Sequence, residues 1–129
     1  MNQHEGMMRL VAAIGLSALA LTQPTTAHAG TMRYRCHYAS MASQEGVVAV
    51  KFALEFAGDT ITGKAVMIGN NGMADVAVVS GKQGITFQET LGSGAVQTTT
   101  ITMDGSSVHS RHTIMRGELV PSQYYGTCK

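Results

Sequence analysis

From residue 30 onward, apolar and polar positions alternate in short runs, and clusters of Gly, Asn, Asp and Ser interrupt them at regular intervals. Period-2 alternation in runs rich in Val, Ile, Thr, Phe and Tyr is the pattern of β-strands with one buried face. The first run, 32–38, puts Met32, Tyr34, Cys36 and Tyr38 on one face and Arg33, Arg35 and His37 on the other. After a polar loop over 39–46, the run 47–56 turns Val48, Val50, Phe52, Leu54 and Phe56 inward and Lys51 and Glu55 outward. Further strands are predicted over 60–68, 73–79, 85–91, 95–103 and 108–115. Ile85, Phe87 and Leu91 share a face of the fifth. The last strand is expected to be broken by Pro121 into 118–120 and 123–128. Asn71-Gly72 and Asp104-Gly105 suit the positive φ of tight hairpin turns. No stretch of this region carries a helical period with caps. The prediction is an all-β domain, an antiparallel meander of about eight strands.

The residues before 30 follow a different pattern. A polar stretch over 1–9 ends in Arg9, an uncharged apolar run covers 10–21, and a polar segment leads to Ala27-His28-Ala29. Those three parts in that order are a secretory signal peptide, with cleavage before Gly30. The apolar run is shorter than the ~20 residues of a membrane span. Met7 and Met8 are alternative starts to Met1 that would leave a cleaner positive end. No Cys at the cleavage point marks a lipoprotein. The expected organisation is a signal peptide over 1–29 and one β domain over 30–129, exported to the periplasm or secreted.

Export changes the reading of the two cysteines. Cys36 and Cys128 lie near the two ends of the domain and are expected to pair in an oxidising compartment. Closing so long a loop contributes about 4–5 kcal/mol on chain-entropy grounds. In an up-and-down barrel of even strand number, the first and last strands lie side by side, so this disulfide would lock the seam. A closed barrel is therefore expected over a β-sandwich, although a sandwich can also pair its terminal strands. Closure would also protect 95–103, an uncharged run with four threonines that is otherwise an aggregation hazard.

Charge adds little. The chain has nine Lys and Arg against eight Asp and Glu, a net charge of +1, which argues against nucleic acid as a partner. The densest reactive cluster is His109, Ser110, Arg111, His112 and Arg116. His109 and His112, three apart on a strand, point to opposite faces and cannot share a metal without a bulge. Two distant cysteines without a Cys-x-x-Cys pair do not make a zinc site. His109 and Arg111 are placed on the outer face, with Ser110 and His112 on the inner face beside Val108 and Ile114. Arg33, Arg35, His37, His109 and Arg111 would then form a basic patch across the seam for an anionic group or acidic partner. No Gly-x-Ser-x-Gly elbow, Gly-rich phosphate loop or paired-carboxylate motif is present, so no catalytic residue, metal or cofactor is assigned. Tyr124 and Tyr125 must face opposite ways, the outward one available for contact.

The layout, with Tyr34-Arg35-Cys36 near the start and Tyr125-Gly126-Thr127-Cys128 at the end, resembles the small periplasmic inhibitors of C-type lysozyme. That resemblance implies an exported eight-stranded barrel closed by a disulfide between its first and last strands. The family's Ser-Gly-x-x-Tyr motif has a counterpart in Ser93-Gly94-Ala95-Val96-Gln97, where Gln97 stands in place of the tyrosine, and the family's Thr-Lys-Gly motif is absent. No residue role is carried over. The functional expectation is a non-enzymatic binding or inhibitory protein of the bacterial envelope, its partner an envelope protein or a polysaccharide. The alternatives are a barrel carrier of one small apolar ligand and a lysozyme-inhibitor-like protein.

Overall fold

The computed structural model describes residues 30–129, so the expected signal peptide lies outside the described residues. Eight antiparallel strands follow one another: β1 Thr31–Ser43, β2 Gly46–Asp59, β3 Lys64–Gly69, β4 Gly72–Ser80, β5 Gly84–Thr90, β6 Val96–Thr102, β7 Ser106–Met115 and β8 Glu118–Cys128. Each pairs with the next, and β8 returns to β1, so the sheet closes into a barrel. Among the described residues no helix is long and apolar enough to cross a membrane. Closure is set at the seam, where Cys36 faces Cys128 in the β1–β8 register and the two form a disulfide with Cα atoms 4.0 Å apart.

Three elements depart from the sequence-based expectation, the first being the strand expected over 60–68: residues 60–63 form the β2–β3 turn, β2 runs on to Asp59, and β3 begins only at Lys64. The polar loop expected over 39–46 is mostly strand, because β1 passes through a bulge between Tyr38 and Ser40 and continues paired with both β2 and β8 to Ser43. β8 is continuous through Pro121. Its ladder to β1 ends at Ser43–Ser122, so Pro121 sits just beyond it, where a strand can lack an N–H without losing a partner.

Side chains fill the interior, as in other barrels of this strand number. Phe56 and Phe87 stack with centroids 4.3 Å apart, and Tyr34 meets Phe87 edge-on at 6.0 Å. Nearer the other end, Phe52 and Tyr124 pack at 4.7 Å, with Tyr38 and His109 against both. Leu54, Ala65, Val76, Ile85 and Ile101 complete the core. Tyr38 Oη and Ser107 Oγ are 2.9 Å apart inside it, which satisfies two buried hydroxyls at once.

The barrel has unequal rims. At the hairpin end, where turns join β1 to β2, β3 to β4, β5 to β6 and β7 to β8, the strands differ in reach. β6 stops pairing with β7 at Gln97–Arg111, yet β7 and β8 continue as a two-stranded ribbon to Met115–Glu118. β1 and β2 also run on to Ser43–Gly46. One side of that rim is therefore a raised wall, and β3 to β6 form the low side.

Candidate functional site

The five residues of the expected basic patch do not come together. Arg33, Arg35 and His37 do face outward on β1. Both arginines, however, reach one carboxylate: Arg33 Nη2 to Glu55 Oε2 and Arg35 Nε to Glu55 Oε1, each 3.2 Å. His109 and Arg111 face inward, opposite to the expected orientation. The inference from Val108 and Ile114 fails for a physical reason: in β7 the inward positions are Ser107 and His109, whose polar atoms meet the hydroxyls of Tyr38 and Thr99, and Arg111, which faces the cavity at the hairpin end. Val108 lies on the outer surface, and Ile114 lies beyond the closed part of the sheet, 41% exposed. His112 is exposed, so the two histidines do point opposite ways. Among the described residues no group of three or more His, Cys, Asp or Glu side chains is placed to hold a metal.

His109 is fully buried. Its Nδ1 is 2.6 Å from Thr99 Oγ1 on the neighbouring strand, its cross-strand partner. Nε2 has no hydrogen-bond partner among the described residues. Burial first, and the charge of Arg111 second, push the imidazole down to about 4. It is therefore neutral at physiological pH, a packed part of the floor.

Above that floor, at the hairpin end, opens a cavity of about 400 Å³. Phe52 and Leu54 of β2 and Met67 of β3 form its apolar side. Glu89, Gln97 and Arg111 form the opposite side. These three are successive cross-strand partners on β5, β6 and β7, a single polar row on the inner face. Arg111 Nε is enclosed without a hydrogen-bond partner among the described residues. Glu89 did not stand out in the sequence, although alternation from Ile85 and Phe87 leads inward to it before it reaches Leu91, and Gln97 stood out only as the residue in place of the motif tyrosine. A second cavity, of about 490 Å³, lies at the opposite end between Met32, Tyr34, Ile85, Ile101 and the turn at Asp104 and Gly105.

Exposed large apolar residues lie at both ends: Ile61, Val79 and Met103 at the opposite rim, and at the hairpin end Val47 and Val48 on the β1–β2 tip, Met73 at the start of β4, and Ile114, Met115, Leu119 and Val120 on the β7–β8 ribbon. Tyr125 is the outward member of the tyrosine pair, 41% exposed, and its hydroxyl donates to Gln123 Oε1 at 2.7 Å. The two free edges of the ribbon differ. On β8 the stretch beyond Ser122 carries Pro121 and Glu118, both of which discourage strand addition. On β7, residues 112–115 read His-Thr-Ile-Met, and nothing of β6 pairs with them. Compared with protein-family models, curated proteins and solved structures, the chain matches none.

Proposed function

We propose that this is an exported, non-enzymatic binding or inhibitory module that captures an extended segment of a partner protein along the free edge of β7. The carrying observation is the unpaired stretch 112–115 on a ribbon whose exposed residues are Ile114, Met115, Leu119 and Val120. An edge of this kind offers a row of backbone donors and acceptors, and an added polypeptide strand answers that row directly. A lipid or polysaccharide has no such ladder to offer. The apolar side chains give the added strand its alternating pockets. The filled interior favours this reading over a carrier with its ligand deep in the barrel. The disulfide favours an oxidising compartment.

The test is hydrogen exchange on the intact protein against a panel of extended peptides with alternating apolar positions, a C-type lysozyme included. Capture at the edge slows exchange at the amides of His112 and Ile114, whose backbone N–H groups turn away from β8, and Ile114→Pro, which removes one of those donors, abolishes it. Protection that maps elsewhere, or binding that Ile114→Pro leaves intact, would overturn the edge as the binding surface. Inhibition of the lysozyme without protection of this edge would favour the family resemblance over strand capture.

A further inference from the structure

The geometry points to a second, separate site: the cavity at the hairpin end of the barrel binds a small zwitterion with an apolar side chain, the chemistry of a free apolar α-amino acid. Its walls are divided by chemistry. Phe52, Leu54 and Met67 offer an apolar surface, and across from them stands the row Glu89, Gln97, Arg111. The two charged residues are two strands apart, about 10 Å between backbones at the usual interstrand spacing. The ion pairs among the described residues are those of Arg33 and Arg35 with Glu55, so Glu89 and Arg111 do not neutralise each other directly. Each is left free to meet a third party. The buried, unpartnered Nε shows that the Arg111 head is partly withdrawn from water, where an arriving carboxylate gains more than it would at the surface. Gln97 between them has both a donor and an acceptor, which suits a group carrying a carboxylate and an ammonium side by side.

The opposed charges also select against simpler ligands. A plain carboxylate would meet Glu89, and a plain amine would meet Arg111, each a like-charge contact in a confined mouth. A volume of about 400 Å³ is at the small end of ligand sites. The neutral His109 and the ring of Phe52 close the floor, so the ligand stays at the mouth. The site uses the inner face of the low rim, and its occupancy does not depend on strand capture at β7.

The experiment is a titration of the isotope-labelled intact protein, followed by amide chemical shifts, with leucine, 4-methylpentanoate and 3-methylbutylamine. Leucine is expected to move the Glu89, Gln97 and Arg111 amides saturably, and each analogue to bind at least about tenfold more weakly. Glu89→Gln should bring the carboxylate analogue up to the level of leucine, a gain of binding that a misfolded variant cannot mimic. Arg111→Gln should weaken leucine at least about tenfold. No saturable shift by about 10 mM leucine would overturn the proposal. So would 4-methylpentanoate binding the unaltered protein as tightly as leucine, or shifts confined to other strands.

Discussion

His109 is where a single residue ties stability to pH. Its imidazole is held near 4 in the folded protein, against 6.5 when free. Between those values the unfolded chain binds a proton that the folded one excludes. Stability from this residue is therefore complete above pH 6.5, falls as pH drops through the window, and stops falling below about 4. A shift of that size corresponds to roughly 3 kcal/mol. Urea unfolding at pH 7 and pH 4.5 should show the difference. His109→Gln, which can still bond Thr99 but does not titrate, should flatten it. An unchanged slope in the variant would assign the pH dependence to other groups. The same residue marks the limit of sequence reading at this scale. Alternation gives the two faces of a strand, but the choice of inner face was made from Val108 and Ile114. In β7 that choice fails, because Ser107, His109 and Arg111 are inward residues whose polar atoms meet Tyr38, Thr99 and the mouth rather than oil.

Among the elements, the β1–β8 seam is the tightest. A Cβ added to Gly126 would overlap the carbonyl oxygen of His37, and the Tyr38 Cα lies 2.7 Å from that position. Both are backbone atoms of a strand fixed on its other side by β2, so neither can give way cheaply. Gly126→Ala is expected to cost more than about 3 kcal/mol in chemical denaturation. Gly92→Ala, in a turn where an added Cβ meets nothing within 4 Å, is the matched control and should change little. Strand identity and most turn positions were legible from alternation and turn residues because each is set locally; the exception is the β2–β3 turn, which lies at 60–63, inside the strand expected over 60–68. The lengths of the strands were not. β1 extends through the polar 39–43 because β2 and β8 both flank it there, a long-range cause that leaves no local hydrophobic signal. The raised ribbon, and with it the open edge of β7, follows from the same differences in length. The charged mouth was half legible: Glu89 falls on the face already marked by Ile85 and Phe87, whereas its pairing with Gln97 and Arg111 depends on register.

At the scale of the whole molecule, one covalent bond joins residues 92 apart in sequence. Chain-entropy reasoning puts its contribution at about 4–5 kcal/mol, comparable with the entire stability of many domains of this size. Replacing both Cys36 and Cys128 with Ala should lower the thermal midpoint by about 20 °C or leave the domain unfolded at 37 °C. A shift of only a few degrees would mean that the strand ladder at the seam closes the barrel unaided.

The seam has a further consequence for how the barrel comes into being. Every other strand can find its partner as soon as the next one exists, since each neighbour in space is the neighbour in sequence. β1 is the exception. Its second neighbour is the last strand of the chain. Until β8 arrives, β1 presents one open flank, and the developing sheet is a curled ribbon with a growing tip. Completion is therefore a single late event of long loop closure, slower than the hairpins that precede it. The interval before it is when the flank of β1 and the growing tip are unpaired, and intermolecular pairing there competes most strongly with closure.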